Sequence, residues 1–322
     1  MSRLQAAVIF WVALLGVRNC LGQQEEFNFK NAGDYNNFIM KEMAAAVQKN
    51  FEYLSFAVHS EDYDLMDSMR MKVVRQINES KDKIGKMPPM DGDTRLRDEA
   101  VGALNEYKNA FELDFKNIIA LKQKSKDSFE AMEDYFKAED EAEEKVNKAT
   151  RRLRKAQEGY ASKNNMKIVS PKENEALEQK MARVSAVNAY WREIFLQYFK
   201  VSKEYDKMWD MLAQEKAGPL DHHRRLAITA AEKTLPLLKL KPGFNGDVEF
   251  RDQTIGIVEY YLKVASNDFG KIVEMLGKKT MTQEEIDFIN TTVNRCNADH
   301  ERLAYNWNIA SQDLFRKNVD KE

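Results

Sequence analysis

Pro89-Met90-Asp91-Gly92-Asp93-Thr94-Arg95-Leu96-Arg97-Asp98 returns in this chain as Gly243-Phe244-Asn245-Gly246-Asp247-Val248-Glu249-Phe250-Arg251-Asp252, a constant 154 residues later. A Gly-Asp pair and then an Arg-Asp pair recur in register, and each copy opens a segment patterned as a helix. The register holds beyond the motif, because Gly102 matches Gly256 and Lys163-Asn164 matches Lys317-Asn318. Self-similarity at a fixed offset marks a duplicated structural unit. The expected fold is therefore all-α, two tandem up-down four-helix bundle-like units related by an internal repeat of 154 residues.

Apolar residues at three- and four-residue steps, with Gly and Pro gathered at the breaks, predict four helices per unit. In the first unit they run over Ala32–His59, Asp62–Lys86, Asp93–Lys124 and Asp127–Ser162. In the second they run over Lys172–Ala217, Leu220–Leu240, Asp247–Lys279 and Thr282–Asn318. Val101, Leu104, Tyr107, Phe111, Phe115 and Ile118 form one apolar stripe, answered by Ile255, Val258, Tyr261, Phe269 and Ile272. Gly102 and Gly256 lie near these stripes and are expected to admit a close helix neighbour. The fourth helix is charge-laced, with Glu141–Lys145 and Glu144–Lys148 as i, i+4 pairs on a solvated face. Asn164-Asn165-Met166-Lys167-Ile168-Val169-Ser170-Pro171 combines helix-ending residues with a proline, so the units divide into residues 23–169 and 170–322.

Residues 1–22 read as a signal peptide. Arg3 supplies the positive start, Ala6 to Gly16 an apolar run too short for a bilayer, and Cys20 and Gly22 the small residues before cleavage. The product is expected to be exported, periplasmic or on the cell surface, with no transmembrane helix. Cys20 also admits a reading as a lipidated anchor, but Arg18 and Asn19 are unsuited to a lipobox, so the anchor is the lesser reading. Cleavage leaves Cys296 alone, which excludes an intramolecular disulfide and leaves a packed core to supply stability. The full chain carries a formal charge of −2, and losing Arg3 and Arg18 brings it to −4. Charges are interspersed and no basic face forms, so nucleic acid is not an expected partner. The sequons Asn78-Glu79-Ser80 and Asn290-Thr291-Thr292 matter only in a eukaryotic secretory pathway.

The first unit shows two helices, Pro89-Met90-Asp91-Gly92-Asp93, the pair Arg97-Asp98, then Tyr107, Phe111 and a closing Tyr160-Ala161-Ser162-Lys163-Asn164-Asn165. This pattern resembles a family of exported bacterial helical proteins described as leptospiral-type surface proteins. The resemblance covers most of the first unit and, more weakly, the second. It implies an all-helical envelope protein and brings no catalytic residues with it. The duplication departs from the pattern and puts a single-site picture in doubt.

The repeated turns are the strongest candidate site. Gly92 and Gly246 are expected at a backbone conformation costly for other residues, with Asp93 and Asp247 capping the helices that follow. Asp98 and Asp252 place negative charge near a helix start, and Arg97 and Arg251 can pair with either acid. A structural role is favoured over the alternative, a paired recognition surface. Cys296 and His300 are the one i, i+4 pair of soft metal ligands, a weak candidate because Ala142 and Val146 stand at the matching positions. Tyr190, Trp191, Ile194, Phe195, Tyr198 and Phe199 form an aromatic face, and Met40, Met43, Met66, Met69 and Met71 a soft one. Both are expected in the core. No Gly-rich phosphate loop, nucleophile elbow or cysteine-protease signature appears. The expected function is non-enzymatic binding or scaffolding of a protein partner in the envelope, with no cofactor and no metal. The alternative is a periplasmic ligand- or metal-binding bundle.

Overall fold

Low Gly and Pro content, frequent i, i+4 apolar steps and well-formed caps make helices of nearly every segment. The structure, a computed structural model, describes residues 27–57, 60–168 and 172–319. The leader 1–22, Cys20, His59 and the junction residues Val169, Ser170 and Pro171 lie outside the described residues. The fold is all-α, and no strand is present among the described residues. The helices are α1 (Ala32–Ala57), α2 (Tyr63–Gly85), α3 (Arg95–Asn109), α4 (Phe115–Lys124) and α5 (Phe129–Lys163). They continue as α6 (Lys172–Ala213), α7 (Ala217–Leu240), α8 (Glu249–Lys263), α9 (Phe269–Leu276) and α10 (Gln283–Val319). The chain divides between Ala182 and Arg183 into two compact units. No helix among the described residues is long and apolar enough to cross a membrane.

Local chemistry fixes the helix ends. Asp62 and Ser128 accept from the amides of Leu65 and Ala131 at the starts of α2 and α5. Thr282 and Glu285 form a reciprocal capping box before α10, each side chain accepting from the other's amide. α5 and α6 end on Asn165 and Glu215 in the left-handed conformation, with Met166 N bonded to Ala161 O and Lys216 N to Met211 O. The expectation of a helix through Ala217 is corrected here, because α6 stops at Ala213 and α7 starts at Ala217. Pro219 falls in the first turn of α7, where a missing N–H costs nothing.

One feature of the backbone was not expected. Between α3 and α4 the helix widens to a π segment, Ala110–Asp114, and between α8 and α9 it does so again at Val264–Asp268. Widening frees carbonyls from their usual partners. Arg70 Nη1, on a side chain 4% exposed, donates to Phe111 O at 2.7 Å, and its Nε is held by Asp67 at 2.8 Å. Arg224 and Asp221 repeat the arrangement in the second unit, with Arg224 Nη1 3.4 Å from Ala265 O. The starts of α7, α8, the second π segment, α9 and α10 lie 154 residues after those of α2, α3, the first π segment, α4 and α5. The first helices differ in register by one. The buried residues Tyr35, Ile39, Ala46 and Tyr53 of α1 are matched 155 residues later by Tyr190, Ile194, Val201 and Met208 of α6, because the α6–α7 connection is differently built.

In the first unit α1 packs on α2, α2 on α3, and α3 and α4 on α5. Tyr35 stacks on Tyr160 at 5.8 Å and joins α1 to α5. In the second unit α7 packs on α8 and α8 on α10, while Trp191 Nε1 donates to Ser311 Oγ at 2.8 Å and joins α6 to α10. Two local expectations are corrected. Lys145 reaches across to Asp114 and Glu144 pairs with Arg151, so the two i, i+4 pairs give way to longer reaches. No backbone closes on Gly102 or Gly256; a Cβ at Gly102 would meet only Arg152 Nη2, and one at Gly256 would meet nothing.

Arg70→Met should destabilise the first unit by about 2–4 kcal/mol, because the Phe111 carbonyl is left buried and unbonded. Arg224→Met should cost less, since its contact is longer. Amide hydrogen exchange read separately over Ala110–Asp114 and Val264–Asp268 checks both; equal loss at the two would contradict the carbonyl argument.

Candidate functional site

The repeated motif forms a two-residue reversal. Met90 N donates to Asp93 O at 3.1 Å and Asp93 N to Met90 O at 2.9 Å, while Asp91 and Gly92 have φ of +48° and +75°. Phe244 and Asp247 exchange the same two bonds at 2.9 Å around Asn245 and Gly246, at φ +51° and +86°. Positive φ at both central residues is the type I′ turn, which Asp-Gly and Asn-Gly adopt more readily than other pairs. A Cβ on Gly92 or Gly246 would meet nothing within 4 Å, so backbone conformation and not space demands glycine.

The acids act one position earlier than expected. Thr94 and Val248 occupy the N-cap positions without a side-chain cap bond. Asp93 Oδ1 accepts from Arg95 N at 3.0 Å, and Asp247 Oδ1 from Glu249 N at 2.9 Å, each bonding the first helical amide. Closing the turn between residues 90 and 93 uses the Asp93 backbone, so the helix can start only two residues later. Asp98 accepts from Thr94 Oγ1 at 2.7 Å; Val248 offers no such donor to Asp252. Arg97 Nε bonds Asp98 at 2.9 Å while its Nη1 donates to Met87 O at 2.8 Å, just beyond the end of α2. Arg251 does the same with Asp252 and Lys241 O, both at 2.8 Å. Lys163 reaches Asp93 at 2.7 Å and Lys317 reaches Asp247 at 3.2 Å, tying the last helix of each unit to its turn. The Arg95 side chain, and then Lys163, hold the Asp93 carboxyl well below the usual carboxylate range. These contacts join three chain segments and leave the charges mutually compensated. They offer a clamp, with no group poised for acid–base work.

Cys296 and His300 do not converge with further ligands, since no group of three or more His, Cys, Asp or Glu suited to a metal occurs among the described residues. The Cys296 thiol is buried, and burial pushes its pKa up. His300 instead meets Tyr261, whose hydroxyl lies 3.1 Å from Nδ1. Tyr261 stacks on Tyr205 at 3.9 Å, and Tyr198 stacks on Trp307 at 4.9 Å. The aromatic face of α6 was visible in the sequence, but its meeting with Tyr261 and His300 was not. His223 Nδ1 pairs with Glu204 at 2.8 Å. Of the methionines, Met43 and Met66 fill the core, while Met71 is 38% exposed on the opposite side of α2. The Asp67–Arg70 and Asp221–Arg224 pairs were missed, although Asp-x-x-Arg recurs at the 154-residue offset.

A cleft among α1, α2 and α3 is lined by Ala46, Asn50, Val73, Ile77, Tyr107 and Phe111. Its volume of about 10 Å³ is room for roughly one water. Asn50 Oδ1 is buried there without a partner. In the second unit Tyr205 stands where Asn50 does, and Ala227, Ala231 and Ala265 replace Val73, Ile77 and Phe111. Comparison with protein-family models, curated proteins and solved structures gives no match for this chain.

Gly92→Ala and Gly246→Ala should each destabilise their own unit by more than about 1 kcal/mol, because a Cβ strains the left-handed backbone. Chemical denaturation followed by unit-resolved hydrogen exchange measures this, and an unchanged stability would remove the clamp reading. Burial holds the His300 imidazole below its ordinary 6.5. The unfolded chain therefore takes up that proton first as pH falls. Its contribution to second-unit stability is full above about pH 6.5 and is lost as pH drops through the folded value. Thermal unfolding from about pH 8 to about pH 5 measures it as a difference: the parent should lose more stability than His300→Gln over that span, the raised Asp206 carboxyl acting equally in both.

Proposed function

We propose that this chain is exported to the cell envelope, periplasmic or at the surface. There it works as a non-enzymatic binding or scaffolding module of two four-helix units derived from one by tandem duplication. Residues 1–22 support export through their charged start, apolar run and small residues before Gln23. The matched turns, π segments and arginine contacts support duplication. The resemblance to leptospiral-type surface proteins supports the same placement.

The observation that carries the binding role is a difference between the units. Leu237, Leu240 and Val248 are 55%, 81% and 38% exposed beside the second turn, where the first unit has Lys83, Lys86 and Thr94. On α10, Tyr305 and Ile309 are exposed where α5 has Arg151 and Lys155. A single exposed leucine needs no explanation. Five polar positions turned apolar on the same framework do, and a protein-binding surface is the usual use of such exposure. The alternative of a ligand-binding bundle has the unpartnered Asn50 oxygen in its favour and the small size of its cleft against it.

A photo-crosslinking residue placed at position 240 should label a discrete protein partner on intact cells, and one at position 86 should not. With the crosslinker kept at position 240, Leu237→Lys should abolish labelling while changing stability by no more than about 0.5 kcal/mol. Equal labelling from both positions would reject the apolar rim as the contact.

A further inference from the structure

We propose that Asn245 is a self-modification site, where loss of ammonia through a cyclic imide with Gly246 leaves an aspartate or an isoaspartate in the second turn. Asn245-Gly246 is the only Asn-Gly pair in the sequence, and it fills the two central positions of that turn, both exposed. The nucleophile is the Gly246 amide nitrogen. The turn closes through the amides of Phe244 and Asp247, which leaves the Gly246 amide outside its two bonds. A Cβ on Gly246 would meet nothing within 4 Å, so the space beside that amide is open to water and base.

The electrophile is the Asn245 carboxamide. Its Nδ2 donates to Asn318 Oδ1 at 3.3 Å, a long bond to the last turn of α10. Ring closure requires the carboxamide to leave Asn318 and turn onto its own main chain.

The step balances with water as the co-reactant. Hydroxide or a buffer base takes the Gly246 amide proton, the nitrogen bonds to Asn245 Cγ, and the Cγ–Nδ2 bond breaks with Nδ2 leaving as ammonia. Water then opens the imide. Cleavage of the new bond to Cγ restores the ordinary peptide link and leaves an aspartate. Cleavage at the main-chain carbonyl leaves an isoaspartate, with the chain running through Cβ. By either route the chain takes up one water and releases one ammonia.

The first unit shows what each product does. Asp91 stands at the place of Asn245 with φ of +48°, and the two bonds between Met90 and Asp93 form around it, so an aspartate suits the turn. An isoaspartate does not, because a main chain one carbon longer cannot keep both bonds between Phe244 and Asp247. The aspartate also turns an acceptor toward Asn318 Oδ1 where a donor stood, which loosens the tie to α10. Asn165 is the contrast within the chain. It too is left-handed, at φ +52°, but the next amide, Met166 N, donates to Ala161 O at 2.8 Å. Asn290 lies inside α10, where helix bonds hold the following amide. At Asp91-Gly92 ring closure must expel water from a protonated acid, which is slower at neutral pH.

The test holds the full chain in mildly alkaline water enriched in oxygen-18 and follows each asparagine by peptide mass spectrometry. Asn245 should convert at least about tenfold faster than Asn165 or Asn290, since only its neighbour lacks a side chain. The product should carry oxygen-18, and part of it should be a substrate for an isoaspartate-specific methyltransferase. Hydroxylamine, which opens the imide, should cut the folded chain between Asn245 and Gly246, a readout that needs no variant. Asn245→Gln, whose longer side chain closes a ring poorly, should prevent both conversion and cleavage. Conversion no faster than at Asn165, a product without isoaspartate, or a chain left uncut by hydroxylamine would overturn the proposal.

Discussion

A helix that ends or widens inside a protein leaves carbonyl oxygens without amide donors, and here basic side chains supply the missing hydrogens. Arg97 and Arg251 meet the carbonyls of Met87 and Lys241 beyond α2 and α7, and Arg70 and Arg224 address the carbonyls freed at the π segments. Lys122 meets Ala57 and Ser60 at the end of α1. A charged donor forms a stronger bond than a neutral one and suits the negative end of a helix. With no disulfide or sheet among the described residues to fix its corners, the fold depends on these contacts to set where one helix stops and the next begins.

The acidic residues follow from the same constraint. Asp67, Asp98, Asp221 and Asp252 each grip the guanidinium that reaches a carbonyl, so its position is fixed before the bond is made. Much of the charge that looks from sequence like a solvated face is therefore engaged in joining elements, as Lys145–Asp114 and Arg152–Glu106 also show. Exposed pairs of that kind add little stability individually. The buried Arg70 bond differs, since removing its donor strands a carbonyl.

The helices and turns were legible because period and breaker residues encode them locally. Gly92 and Gly246 could be read as left-handed, since a glycine after Asp or Asn at a break between helices suits a turn with positive φ. The position of the cap could not, because whether Asp93 or Thr94 starts the helix depends on which residue the turn uses for its own bonds. The π segments carry no compositional sign; Ala110–Asp114 and Val264–Asp268 share only an acid at the end. Their signal was indirect, in the Asp-x-x-Arg pairs one helix away. The Tyr261–His300 contact was hidden for a related reason. His300 was read against Cys296 on its own helix, whereas its partner comes from α8.

The clamps at helix ends recur in both units, while the interiors between them differ. Tyr205, Ala227, Ala231 and Ala265 stand where Asn50, Val73, Ile77 and Phe111 do, so bulk is gathered on α6 and removed from α7 and the second π segment. Where the first unit has a small cleft holding Asn50, the second has a stacked pair of tyrosines beside a histidine. The outer surface differs as well, with Leu237 and Leu240 at the positions that match Lys83 and Lys86. What the units share is thus accounted for by folding, and the repeated turns, conspicuous as they are, belong to that shared part. The two units differ instead in the exposed Leu237, Leu240 and Val248 and in the stacked rings around Tyr205 and Tyr261, where local packing rather than the clamps decides the side chain.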